Sequence, residues 1–394
     1  MANTLLTPTV IAKEALFQLE NNMVMGNLVH RAYKKEFVKI GDTVTIRKPV
    51  KFTVTDGATR SNQDVTEQSD TLVINSRKHV SWKFSTQDLT LTIQEYSKRY
   101  VEPAMIVLGN KVDEDLCALY SSLWLKAGTP GTTPNAFSFL GDMAEALDDA
   151  AVPDDGKRYL VLNPAARWAL ADALKGLNIP QSAEGWVRKG RLGDLANFMV
   201  YGDQNIQRHT VGAYGGTPLV NGAIQTGNSL VTDGWSASTT VLKKGDQFTI
   251  AGVNAVNPVS KADTGKLQVF TVTADGTSDG LGNLTVSITP SITTTGAYQT
   301  VTASPADNAA ITVVGSASTA YPQNLAFHRN ALALVMVPLE LPDSAGFKAR
   351  VSHRGMSARI VKDYDIDNDD EIARIDILYG TKAIYPDLGG RLWG

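Results

Sequence analysis

The stretch DLTLTIQEYSKRYVEPAMIVLGNKVDEDLCALYSSLWL, Asp88 to Leu125, carries one apolar stripe through 38 residues. Leu89, Ile93, Tyr96 and Tyr100 lead into Val101, Met105, Leu108, Val112, Leu116, Leu119 and Leu123. Within each set the steps are three or four residues, one face of a helix. Ser85 to Asp88 supplies capping residues before it. Such a helix would be about 57 Å long, well beyond the usual ~10–14 residues. The pattern therefore predicts a structural spine. Pro103 predicts a kink, and Gly128, Pro130, Gly131 and Pro134 end the helix. The chain's one cysteine, Cys117, follows stripe residue Leu116 and the acids Asp113, Glu114 and Asp115. It reads as a packed thiol, because acidic neighbours raise a thiol pKa rather than activate it.

Upstream, Val10, Ala15, Leu16, Leu19, Met23 and Leu28 predict a helix after Thr9, weakened at Gly26. It has nothing local to pack on, so it must lie on another part of the protein or on another subunit. The period then changes. Val44 and Ile46 alternate with Thr43, Thr45 and Arg47, and Phe52 and Val54 repeat the pattern. Alternation returns at Leu72 and Ile74 and again at Val80, Trp82 and Phe84. Between them lies the polar run DGATRSNQDVTEQSD, Asp56 to Asp70. These features predict a long hairpin whose charged tip has almost no apolar residue to hold it to its own domain.

Downstream, FSFLGDMAEALDDA reads as a helix, YLVLN (159–163) as a buried strand, and Pro164 opens a helix that Gly176 ends. Phe198 to Tyr201 reads as a strand. Composition shifts at Val211. From there to Pro322 only ten of 112 residues are charged, with no Glu and no Arg, under half the whole-chain fraction of 20%. Short strand patterns punctuated by Asp-Gly and Gly-Asn predict an all-β unit, a small barrel or sandwich inserted into an α+β domain. Mixed composition resumes at Asn324. The last 70 residues read mostly as strands, in LALVMVPLEL, KARVSHRG, SARIVKDYD and EIARIDILYGTKAIYP, around the acidic run Asp363 to Glu371.

Composition narrows the function. The 37 Lys+Arg against 40 Asp+Glu argue against a dedicated nucleic-acid binder. One cysteine excludes an internal disulfide and a Cys-based metal cage. The start Met1 to Leu6 lacks a signal-peptide pattern, and the best apolar run, Ala331 to Val337, stops at Pro338, short of the ~18 residues of a membrane span. The expectation is a soluble protein of a reducing compartment with no membrane anchor.

Several stretches look chemical and fall short. GTSDG, Gly276 to Gly280, matches a nucleophile-elbow spacing, but strand pattern follows where a helix is needed, so Ser278 reads as part of a turn. In the acidic run, a calcium loop starting at Asp363 would have Asn368 and Arg374 at its sixth and twelfth positions. One starting at Asp365 would have Asp370 and Asp376, and both registers lack the required Gly and Glu. His30, His79, His209, His328 and His353 share no metal-ligand spacing. Gly215-Gly216 and Gly389-Gly390 lack phosphate-loop spacing. The cluster Arg188, Lys189 and Arg191 reads as a solvated loop. No catalytic residue, no metal ligand and no cofactor is expected, and the chain does not read as an enzyme.

The order of segments resembles the major capsid proteins of tailed bacteriophages, the Hong-Kong-97-type fold. GRLGDLANFMVYGDQNIQ (190–207) resembles that family's apical region. LAFHRNALALVMVPLE (325–340), RGMSARIVKDYD (354–365) and DILYGTKAIYPDLGGRL (376–392) resemble its C-terminal region. VLKKGDQFTIAGVNAVNP (241–258) and LTVSITPSI (284–292) resemble the inserted domain of coat proteins of the short-tailed Salmonella phage type. The resemblance implies an α+β fold with an N-terminal helical arm (1–38), an E-loop hairpin (39–84), a spine-helix P-domain (85–128), an A-domain (129–210), an inserted all-β domain (211–322) and a return to the A- and P-domains (323–394).

It also implies hexamers and pentamers that assemble into an icosahedral shell in the host cytoplasm, around a scaffolding protein and with a portal. Non-specific contact with packaged DNA and maturation by expansion follow. On this reading Asp56, Arg60, Asp64, Glu67 and Asp70 make polar contacts between subunits. Some relatives cross-link a hairpin lysine; Lys48 and Lys51 lie in that segment, but no cross-link is expected here. A tail-tube or adhesin-like module using the β insert is the other reading. Residues 1–210 count against it, since such proteins rarely need a long spine.

Overall fold

The regular part of the spine is the helix Glu102–Cys117, followed by a 3-10 turn, Ala118–Ser122. In this computed structural model the described residues are 8–32, 43–58, 60, 62–65, 67–85, 100–174, 192–343, 345–353, 355–368 and 370–394. The expected cap at Gln87–Asp88, the stripe residues Leu89, Ile93 and Tyr96, the helix end at Gly176, and the cluster Arg188, Lys189 and Arg191 lie outside them. Tyr100 and Val101 form a π-helical turn just before Pro103. Pro103 is the second residue of the regular helix, directly after that turn.

The chain divides into two compact units. The first comprises 1–47, 69–116 and 332–382. Its sheet is built on the long strand Asp370–Ala383. Met356–Asp365 pairs with one edge of that strand, and Phe347–His353 lies beyond it. Ser76–Ser85 takes the other edge, from Ser85 opposite Asp370 to Ser76 opposite Tyr379. This corrects the hairpin reading. Alternation at Val80, Trp82 and Phe84 does mark a strand, but it belongs to this sheet. The paired part of the hairpin is Thr43–Lys48 with Gln68–Val73. Phe52 and Val54, read as a strand repeat, lie in a stretch with no regular structure.

The N-terminal helix, Pro8–Asn22, packs on Phe347–His353 and Met356–Asp365 of its own chain. Ile11, Ala15, Leu16 and Leu19 form its buried stripe. Val101, Met105, Leu108, Val112 and Leu116 do the same for the spine, while Val107 on the opposite face is 60% exposed. Asp113 is the exception within the buried face, with 1% of its surface exposed. Its carboxylate accepts the N–H of Val24 at 2.6 Å and of Gly26 at 2.9 Å. These groups lie at the break between the N-terminal helix and the short turn Met25–Leu28, so a buried side chain supplies partners that a helix end lacks.

The second unit comprises 48–68, 117–331 and 383–394. One sheet runs in the order 125–127, 389–392, 324–328, 158–162, 198–202, 194–195. Helix Phe137–Asp149 contributes Leu140, Met143 and Leu147 to the core it shares with Leu160, Phe198 and Ala326. Helix Pro164–Leu174 adds Leu170 to the same core.

The low-charge segment forms the other sheet, in the order 311–313, 247–256, 263–272, 284–292, 227–235, 216–220. Its strand pairings are antiparallel. Leu219 bridges to Ala310 and Val220 N–H donates to Ala309 at 3.0 Å, so first and last strands meet and the sheet closes into a barrel. Along Leu284–Ile292 the inward residues Leu284, Val286, Ile288, Pro290 and Ile292 alternate with outward ones. Phe248 and Phe270 meet in the interior at 5.8 Å between ring centres. The chain enters through Arg208–Thr210 and leaves through Ala320–Pro322, which pair with each other as an antiparallel neck.

Candidate functional site

Two places carry polar chemistry that the fold itself does not explain away at once: the hairpin tip and the neck of the barrel. In the tip, the described residues within 49–67 have no regular structure, and a clamp is built on Gln63. Gln63 accepts the N–H of Thr53 at 2.9 Å and its amide donates back to the Thr53 carbonyl. Asp56, Arg60, Asp64 and Glu67 are all exposed. Among the described residues Asp56, Arg60 and Asp64 make no hydrogen bond or ion pair. Asp70 differs, because Lys382 forms an ion pair with it and also donates to the Thr71 carbonyl at 2.6 Å.

The five residues named from sequence thus do not gather into one cluster. The tip also carries a signal that its polar composition hid. Phe52, Val54 and Val65 are 63%, 95% and 62% exposed. Three large apolar side chains are thus exposed on a segment without a core.

At the neck, His209 Nε2 lies 2.6 Å from Asp246 Oδ1, and its Nδ1 lies 2.9 Å from the Tyr120 hydroxyl. The ionised carboxylate only accepts, so Nε2 carries the proton and, in the neutral ring, Nδ1 accepts from Tyr120. Asp246 Oδ2 accepts the N–H groups of Gly212 at 3.0 Å and Lys243 at 2.7 Å. Gly212 is required here, since a Cβ would fall 2.3 Å from the Val241 carbonyl oxygen.

Arg391, 1% exposed, stands over the Tyr120 ring and donates to the carbonyls of Tyr120 (3.1 Å) and Gly245 (2.7 Å). Burial lowers its guanidinium to about 10. Burial likewise raises the Tyr120 hydroxyl, more than nearby Arg391 lowers it.

The order carboxylate, imidazole, hydroxyl imitates a catalytic triad. Here the hydroxyl is a phenol, and the adjoining cavity is about 10 Å³, roughly the space of one water. What the arrangement does is pin the neck. Residues far apart in sequence satisfy one another, and no local spacing announces them.

The other chemical-looking motifs resolve into turns. Ser278 is buried, donates to the Ser236 carbonyl and accepts from Thr239 N–H at 3.3 Å. Asp279 accepts the N–H groups of Leu281 and Asn283, both at 2.8 Å. The acidic run is the turn between Met356–Asp365 and Asp370–Ala383, where Asp365 accepts from Asp367 N–H and the Asn368 amide. Among the described residues no group of three or more His, Cys, Asp or Glu is placed to hold a metal, and Asp369 lies outside them.

One buried carboxylate in the first unit, Asp376, is held by Arg359 at 2.6 Å and Arg374 at 2.7 Å, with Arg77 at 3.6 Å. Burial pushes its carboxyl up, but the hydrogen bonds from Arg359 and Arg374 outweigh that and hold it below the usual range.

Comparison with known proteins assigns these features a context. A family model described as "P22 coat protein - gene protein 5" matches residues 1–394. A major capsid protein of Acyrthosiphon pisum secondary endosymbiont phage 1 is 23% identical over 290 residues, covering 68% of each sequence. A solved structure from Mycobacterium phage Che8 aligns over 94% of this chain and 90% of its own, with a TM-score of 0.52 and 15% identity, a likeness of fold. A CUS-3 coat protein I-domain aligns with 26% of this chain and 96% of its own, at 29% identity and a TM-score of 0.20.

Proposed function

The chain belongs to the P22 coat protein family and is a major capsid protein of a tailed phage with the Hong-Kong-97-type α+β fold; from that premise we propose how it builds its shell. Subunits associate as hexamers and pentamers around a scaffolding protein in the host cytoplasm, leave room for a portal, and enclose double-stranded DNA. The shell then expands. The barrel of residues 211–322 is an inserted domain, and residues 43–73 form the reaching hairpin. The hairpin tip binds a neighbouring subunit.

The exposure of Phe52, Val54 and Val65 on a coreless loop carries this reading. Covering such side chains is worth about 1.5–3 kcal/mol each. Asp56, Arg60, Asp64 and Glu67 then form the polar rim. Each exposed pair contributes little, so the rim sets register more than strength. Asp70 supports the tip from within its own chain through Lys382. The near-neutral total charge suits a wall that touches DNA without gripping it.

Electron microscopy of the chain expressed with and without its scaffolding protein tests the proposal. Closed shells of uniform diameter with the scaffold, and open or irregular sheets without it, are expected. A small discrete oligomer under both conditions would overturn it.

A further inference from the structure

A cavity of about 360 Å³ lies within the second unit. Strand Leu125–Ala127, the end of helix Phe137–Asp149 and three barrel strands contribute to its walls. Trp124, Ala146, Val256, Pro258 and Leu267 give it a mainly apolar lining. Size and lining match those of small-molecule sites, which add a few polar groups to fix orientation.

The cavity's charges are unevenly paired. Lys266 bridges Glu145 at 2.7 Å and Asp149 at 2.9 Å. Lys51 faces Asp387 at 4.0 Å. Lys126 also lines the cavity, yet among the described residues its ammonium has no hydrogen bond and no ion pair. Burial holds its ammonium below the ordinary lysine range. Lys126 is only partly buried, and an anion beside its ammonium would offset the desolvation it does suffer. Both carboxylates in the lining, Asp149 and Asp387, already face other lysines, so the lining leaves Lys126 open to an anion from solvent.

We propose that this cavity binds a small amphipathic carboxylate, with the anion on Lys126 Nζ and the apolar body against Trp124, Val256, Pro258 and Leu267. The ligand would touch strand, helix and barrel at once. It would therefore stabilise the barrel against the rest of the second unit, in proportion to its occupancy. The inference is independent of how subunits contact one another.

Isothermal titration of the unassembled full-length chain with octanoate and with 1-naphthoate tests it, with octylamine as the charge-reversed control. One saturable site per chain is expected for the acids and none for the amine. Lys126→Met should weaken octanoate roughly tenfold or more, the loss of one charge-assisted hydrogen bond, while Lys126→Arg retains binding. Ala146→Leu, on a half-exposed helical position, should weaken it by filling space. Octanoate should raise the thermal midpoint of the wild-type chain and leave that of Lys126→Met unmoved. Absence of saturable acid binding to the wild-type chain, equal binding of octylamine, or undiminished binding by Lys126→Met would each overturn the proposal. The acid-against-amine comparison needs no variant, so it decides even if a substitution fails to fold.

Discussion

The backbone N–H of Val24 donates to the carboxylate of Asp113 at 2.6 Å. Together with the Gly26 N–H, this fastens the end of the N-terminal helix to the middle of the spine. A helical arm that sequence left without a local partner is therefore packed on two strands of its own chain and tied to the spine by a buried carboxylate.

Removing that charge should be costly. Asp113→Ala leaves two N–H groups without their acceptor, about 1–3 kcal/mol each. Urea unfolding of the unassembled chain should show a loss of about 2–5 kcal/mol. An unchanged midpoint would show that water replaces the carboxylate at no cost.

At the neck, Asp246→Ala should destabilise the attachment of the barrel by about 2–4 kcal/mol, because His209, Gly212 and Lys243 all lose their acceptor. Limited proteolysis should then cut near 208–212 and 320–322 before it cuts the barrel. Deleting Val211 to Pro322 with a short linker takes away Ala320–Pro322, the strand paired with Arg208–Thr210, and with it the partners of His209 and Arg391. The remainder should fold poorly or assemble with the wrong curvature, and normal shells from it would contradict this role.

The Asp376 centre gives a pH signature. Its folded carboxyl titrates below the unfolded value of about 3.9. Its contribution is therefore complete above about pH 4 and is lost as pH falls through the lower, folded value. Asp376→Asn should cost about 1.5–3 kcal/mol at pH 7, since it leaves Arg359 and Arg374 without the carboxylate they donate to. The gap between wild type and variant should close in acid. A gap independent of pH would point to packing instead.

In the tip, Phe52→Ser with Val54→Ser should leave the unassembled chain as stable as before, within about 0.5 kcal/mol, because both side chains are exposed. Shell yield should fall sharply. Sedimentation separates the two readouts, and normal shell yield would remove these residues from the interface.

Much of the fold was legible because it is written in local periodicity. The spine stripe from Val101 to Leu116, the helix at 137–149 and the strand alternation at 284–292 each declare their own buried face. The barrel showed in its missing Glu and Arg. Partner choice was not legible. Alternation at Val80, Trp82 and Phe84 marks a strand but says nothing of the pairing with 370–379, nearly 300 residues away. The neck was hidden for the same reason, since Tyr120, His209, Asp246 and Arg391 meet only in three dimensions. The tip was read for its charges, and its three exposed apolar residues emerged only with burial.

Hydrogen–deuterium exchange of assembled shells against the unassembled chain tests the central claim most directly. If the tip docks on a neighbouring subunit, amides across 49–67 exchange fast in the free chain and become strongly protected in the shell. Equal, fast exchange of that segment in both states would contradict the account.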